Sequence, residues 1–183
     1  MTRTLVAESS DHILEAVKKT FESEIENTER FVDSIIGARK IFIYGVGRSG
    51  LISKAFAIRL VQMGLEVFFV GETITPIVEE ENLVIIVSYS GETMSAIQTA
   101  NIVRRVGAKV ITITAHPHSK LAGASSFVIE IHPQKTDESK RLAPLGTLFE
   151  IATMVFFEGA VAMLMEKLGQ SEGSLRKRHA IWV

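Results

Sequence analysis

Small hydroxyl residues and glycines gather twice in this chain, each time in a pattern suited to holding an anion. The first group, Gly45-Val46-Gly47-Arg48-Ser49-Gly50, follows a short apolar run and precedes a helical segment. Its glycines let the backbone turn sharply and approach a ligand, and a helix start presents unpaired N–H groups. The second group, Ser88-Tyr89-Ser90-Gly91-Glu92-Thr93, stands in the same relation to a later apolar run. The hydroxyls of Ser88, Ser90 and Thr93, together with N–H groups at a helix start, make a cradle for a phosphate. Ordinary helix capping uses one hydroxyl and leaves the others without a purpose.

The first group also spells G-x-G-x-x-G, the dinucleotide fingerprint, with Glu72 downstream where a ribose-binding acid is sought. That reading leaves the second group unexplained, and 183 residues give no room for a separate substrate domain. Glu72 moreover sits in Gly-Glu-Thr-Ile-Thr-Pro, a stretch that reads as a loop lining a site, with Thr75 beside it. No cofactor is therefore expected. His116-Pro117-His118 offers two imidazoles without a third ligand nearby, so no metal is expected either. Glu150 stands in the first turns of an otherwise apolar segment. There it is either a carboxylate whose pKa is raised by apolar surroundings or a surface acid favoured by the helix macrodipole. His179, in Arg176-Lys177-Arg178-His179, reads from the residues alone as a solvated helix end.

These groups need a scaffold, and the apolar patterning supplies one. Short apolar runs at 40–44, 66–70, 83–87, 109–114 and 127–131 alternate with helical segments at 49–63, 93–106 and 119–124. Such alternation predicts βαβ units and a parallel sheet, hence an α/β three-layer sandwich. Apolar spacing over 10–36 predicts one N-terminal helix ending at Gly37. A polar loop at 133–141 leads past Pro144 into a long helix that Gly169 ends. With no repeat or linker, the chain reads as a single domain: N-terminal helix 10–36, core 40–131 and C-terminal helices 144–180.

Composition narrows the classes of function. Apolar residues make up 46% and charged residues 22%, ordinary values for a globular protein. A net charge of −1 gives no electrostatic case for nucleic acid or an anionic membrane as partner. The absence of cysteine excludes disulfides, thiolate metal sites and a thiol nucleophile. Residues 1–15 lack the apolar core of a signal peptide, and Glu150, Glu158 and Glu166 interrupt the one long apolar stretch, so a cytoplasmic location is expected. That stretch, apolar on nearly every side between Ile151 and Met165, predicts burial against a second copy of the chain.

G-x-G-x-S followed two strands later by S-x-S-G-E-T resembles the sugar isomerase (SIS) domain family, and within it the 6-phospho-3-hexuloisomerases. Further matching segments are Val70–Pro76, Pro144-Leu145-Gly146-Thr147-Leu148-Phe149-Glu150 and Arg176–Ala180, so the resemblance runs through nearly the whole chain. It implies a five-stranded parallel sheet of flavodoxin type, a homotetramer, and a sugar phosphate as the small-molecule partner. The implied reaction interconverts D-arabino-3-hexulose 6-phosphate and fructose 6-phosphate through a cis-enediol, without cofactor or metal. It further implies Glu150 as the base and His179 as the group serving the oxygens. Gly47, Arg48, Ser49, Glu72, Thr75, Ser88, Tyr89, Ser90 and Thr93 are implied to bind substrate, Arg48 by pairing with the phosphate, by steadying the enediolate, or else by bridging subunits. Relatives acting on arabinose 5-phosphate or sedoheptulose 7-phosphate share both loops, as do sugar-phosphate-sensing SIS modules. Tyr89 departs from the family, which usually has a small residue there.

Overall fold

The computed structural model describes residues 4–179. The Ile181-Trp182-Val183 tail, and Ala180 of the terminal basic segment, lie outside them. Five strands, β1 (Ile41–Gly45), β2 (Val67–Phe69), β3 (Leu83–Val87), β4 (Lys109–Thr114) and β5 (Phe127–Glu130), form one parallel sheet in the order β2-β1-β3-β4-β5. β3 lies in the middle and is buried along its whole length, which is why it reads as an unbroken apolar run.

Alternation along the strands builds two apolar layers. Ile41, Ile43, Leu83, Ile85, Ile111, Ile113 and Ile129 face the larger layer. It is roofed by α1 (Leu5–Thr20), α2 (Thr28–Gly37), α3 (Arg48–Gln62), α7 (Thr147–Lys167) and α8 (Glu172–Lys177). Phe42, Val84, Ile86 and Val110 face the smaller layer under α4 (Met94–Val106) and α5 (Lys120–Gly123). The short α6 (Ser139–Leu142) falls within the segment expected to be a polar loop.

The N-terminal segment is two helices rather than one. Residues 21–27 turn, and Asn27 takes a left-handed conformation (φ 65°) while its side chain donates to the Val128 carbonyl on β5. Continued helical spacing would need an apolar residue at 28 or 29, where Thr28 and Glu29 stand, so the break has a sequence cause.

α7 is a core helix on one side. Phe157 stacks on Phe56 of α3 at 4.1 Å between ring centroids, and Phe56 and Phe156 both touch Phe31. It is also long and apolar enough to cross a membrane by length and composition. Its packing on α1, α2 and α3 identifies it as an element of this fold's interior. Its outer side leaves Val155 exposed, as α3 leaves Leu51 and Ile58, and an Arg59–Glu158 ion pair at 3.1 Å joins the two helices.

Candidate functional site

β1 and β3 are neighbours, yet the chain leaves them toward opposite faces: α3 packs on one layer and α4 on the other. The two helix starts therefore flank a gap at the carboxyl edge of the sheet, where ligands bind in open α/β folds. Gly45 and Gly50 hold the first turn together. A Cβ on Gly50 would stand 2.5 Å from the Gly45 carbonyl oxygen, so the strand end and the first helical turn touch backbone to backbone. Gly47 (φ 59°) caps α3 without any side-chain bond, and Thr93 caps α4 without one as well. Both helix starts thus keep N–H groups available to an anion.

Between them lies a cavity of about 130 Å³ lined by Val46, Ser49, Ser88, Tyr89, Ser90 and Thr93 among others. The buried Ser88 hydroxyl accepts from the Gly91 N–H at 3.2 Å and lies 3.3 Å from the Thr93 hydroxyl. Ser90 accepts from the Glu92 N–H at 3.2 Å. A hydroxyl that accepts still has its own proton to donate, so the groups that shape this loop can also face a ligand. A wider hollow of about 570 Å³ lies between α1 and residues 134–142. Glu8, Asp11, Glu15 and Glu138 line it against Lys19 and Arg141, a balance of charge that disfavours a phosphate.

The hydroxyl loop is fastened at its far side. Gly91 (φ 62°) passes so close to Ser119 that a Cβ there would stand 1.9 Å from its Oγ. Glu92 accepts from the backbone N–H of Lys120 at 3.0 Å and from its ammonium at 2.8 Å. These bonds hold the Glu92 carboxyl below the ordinary carboxylate range and the Lys120 ammonium above its own. Glu92 is a fastening group, buckling the loop to α5.

Glu150, the fourth residue of α7, is 8% exposed and ion-paired with Arg48, the first residue of α3. A buried carboxylate requires such a partner, which is why Arg48 turns to it. Arg48 is thus engaged with Glu150 and is not among the residues lining the cavity. Gly146, the residue that caps α7, makes room for the carboxylate: a Cβ there would lie 3.0 Å from Glu150 Oε1. Tyr89 links the cavity to this helix, its ring 5.4 Å from those of Phe149 and His116.

Ser49, Ser88, Tyr89, Ser90 and Thr93 therefore share one cavity, with Gly47 at the start of its first helix and Glu150 reached through Arg48. Three expected residues are not brought there. Glu72 is ion-paired with Lys54 at 2.7 Å. The Thr75 hydroxyl lies within reach of the Phe69 and Glu72 carbonyls, at 2.9 and 2.7 Å, beside an apolar hollow lined by Phe42, Val70 and Pro76. His179 follows Arg178, whose guanidinium packs on Gly64 and donates to the Gln62 carbonyl at 3.4 Å. That is the far end of α3, about 22 Å from Arg48 along a 15-residue helix. In sequence His116 reads as an ordinary loop residue, and nothing marks Lys135. The ammonium of Lys135 stands 4.6 Å from the Tyr89 ring centroid. Among the described residues, no group of three or more His, Asp or Glu is placed to hold a metal ion.

The SIS domain family matches residues 34–157. A protein of Methanothermobacter thermautotrophicus is 41% identical over 98% of this chain and 95% of its own length. The 3-hexulose-6-phosphate isomerase of Bacillus subtilis is 36% identical over 85% of this chain and 86% of its own. A Methanococcus jannaschii protein, whose crystal structure was taken to infer a molecular function of 3-hexulose-6-phosphate isomerase, superposes with a TM-score of 0.83 at 33% identity, covering 96% of this chain and 97% of that one. With its parallel sheet, its paired helix starts and these relatives, the chain belongs to the SIS domain family, in the branch that carries the 3-hexulose-6-phosphate isomerases.

Proposed function

We propose that this chain interconverts D-arabino-3-hexulose 6-phosphate and fructose 6-phosphate through a cis-enediol. The observation that carries the reading is the buried Glu150 carboxylate, held by Arg48 from the first turn of the very helix that opens the anion cavity. The phosphate is anchored by the helix starts of α3 and α4 and by the hydroxyls of Ser49, Ser88, Ser90 and Thr93. Glu150 removes the proton from C2 of the 3-hexulose, and the C3 carbonyl becomes the enediol oxygen. Returning that proton to C3 while the C2 hydroxyl loses its own completes the transfer, so one carboxylate serves both carbons. Arg48 neutralises the charge that develops as the proton moves.

His179 is suited to move protons between the two oxygens and to open the furanose ring of fructose 6-phosphate, because an imidazole can both donate and accept a proton. Its place at the far end of α3 supports its supply by a neighbouring copy of the chain. The exposed Leu51, Ile58 and Val155 offer a face for that copy, and a homotetramer is the assembly proposed. The proposed setting is cytoplasmic, downstream of a synthase that joins formaldehyde to ribulose 5-phosphate.

A coupled assay tests the reaction: the synthase makes the 3-hexulose phosphate in situ, and fructose 6-phosphate is measured. Turnover by the wild-type chain, lost by about three decades in Glu150→Gln, is the expected result. Near-normal turnover in that variant would remove Glu150 as the base. If no turnover is seen while fructose 6-phosphate still raises the melting temperature, the site holds a different sugar phosphate or acts as a sensor.

A further inference from the structure

Lys135 lies in the polar segment between β5 and α6 and has no part in the chemistry above. Its ammonium makes two contacts that leave that segment. It donates to the Leu145 carbonyl at 2.9 Å, and it stands over the face of the Tyr89 ring at 4.6 Å. Exposed lysines ordinarily keep the ammonium in water, whereas this one spends it on a carbonyl and an aromatic face.

The two partners belong to the two halves of the site. Tyr89 lies in the hydroxyl loop and packs on Phe149, the residue before Glu150. Leu145 precedes Gly146 and is held in a left-handed conformation (φ 58°) that a leucine rarely adopts. Its side chain is 89% exposed, so packing of that side chain does not impose the conformation. The bond from Lys135 instead fixes the direction of the Leu145 carbonyl, and with it the peptide joining Leu145 to Gly146. That peptide sets the place of Glu150. The Gly146 carbonyl accepts from the Glu150 N–H at 2.9 Å, and the bare Cα of Gly146 makes room for the carboxylate.

We propose that Lys135 is a positioning residue that ties the phosphate-binding loop to the turn carrying Glu150, so that a phosphate in the loop tightens the placement of the carboxylate. The proposal rests on the reading of loop 88–93 and Glu150 given above. It is specific to a chain with an aromatic ring at position 89, since a small residue there would leave the ammonium the carbonyl alone.

Lys135→Met keeps the length of the stem and removes both the charge and the donors. Its expected kcat is about tenfold lower, with KM for fructose 6-phosphate within about twofold of wild type and an unchanged melting temperature. Lys135→Arg recovers at least half the rate, because guanidinium can both donate and sit on a ring. Tyr89→Leu combined with Lys135→Met loses no more than the worse single variant. Wild-type kcat in Lys135→Met, or fully additive losses, would overturn the proposal. Hydrogen exchange gives a readout that needs no turnover. Amides of residues 145–150 should exchange faster in Lys135→Met, and inorganic phosphate should slow them in the wild-type chain but not in the variant. Exchange that is identical in both proteins overturns the coupling even if isomerisation stands. The predicted difference in a wild-type chain that isomerises nothing would uphold the coupling and discard the assigned reaction.

Discussion

Arg48 and Glu150 meet across the carboxyl edge of the sheet, the arginine side chain 64% exposed and the glutamate side chain only 10%. The pair joins the proposed anion-binding turn to the helix that carries the proposed base, although 102 residues separate the two in the chain. Arg48→Met leaves the carboxylate buried and unpaired. The expected loss of stability is about 1–2 kcal/mol, below that of a fully buried pair because Arg48 faces water. kcat should fall with it, as chemical denaturation and steady-state kinetics will register. Unchanged stability and rate would reduce the pair to an ordinary surface contact.

Ser90→Ala should raise KM more than it lowers kcat, since a contact to the non-reacting phosphate is made equally in ground and transition states. An unchanged KM would remove Ser90 from the cradle.

Two glycines separate binding from chemistry. Gly91→Ala drives a Cβ into the Ser119 hydroxyl in a backbone region that alanine avoids, and should cost about 2 kcal/mol or more together with the stabilisation by fructose 6-phosphate. Gly146→Ala crowds only the Glu150 carboxylate and should lower kcat while that ligand still raises the melting temperature. Indistinguishable behaviour of the two variants would contradict the division of the site.

Mixing inactive Glu150→Gln and His179→Ala chains through an unfolding and refolding cycle should restore activity. One site of each mixed pair then has Glu150 from one chain and His179 from the other. Failure to recover any rate, with mixed oligomers present, would show that Glu150 and His179 act within the same chain, and full activity of His179→Ala alone would place the histidine outside the reaction.

The Glu92–Lys120 clamp carries a pH signature. The carboxyl of Glu92 is lowered from 4.5 by its bonds to Lys120, so its contribution to stability is present above that value and is lost as pH falls through the folded-state pKa. The ammonium of Lys120 is raised from 10.5, so its share is complete below that value and is lost as pH rises through its folded-state pKa. The stability difference between wild type and Glu92→Gln should therefore shrink below about pH 4 and hold steady at neutrality. A difference constant down to pH 2 would show that the carboxylate's charge plays no part.

Local features were legible in the sequence and long-range pairings were not. β3 and β4 match the expected runs at 83–87 and 109–114 residue for residue, because strands buried in a parallel sheet leave contiguous apolar text between turn residues. The hydroxyl and glycine loops were equally legible, their chemistry being contained in six consecutive residues. The turn at 21–27 was hidden by apolar residues on both sides of it. Glu72 drew attention because its loop of glycine, threonine and proline has the composition of a site lining. Its charge is taken by Lys54 from a neighbouring helix, a pairing that only the folded chain defines. Nothing in the text around Lys135 marks it, since its place depends on a ring 46 positions earlier.

The roof over the larger apolar layer is completed late in the chain. β1 ends at Gly45, but α7, which covers the Phe31 and Phe56 rings, begins at Thr147. A nascent chain leaving the ribosome therefore carries an uncovered aromatic layer for roughly a hundred residues of synthesis. A fragment ending before residue 147 should therefore leave the Phe31 and Phe56 rings uncovered and aggregate rather than act as a smaller enzyme.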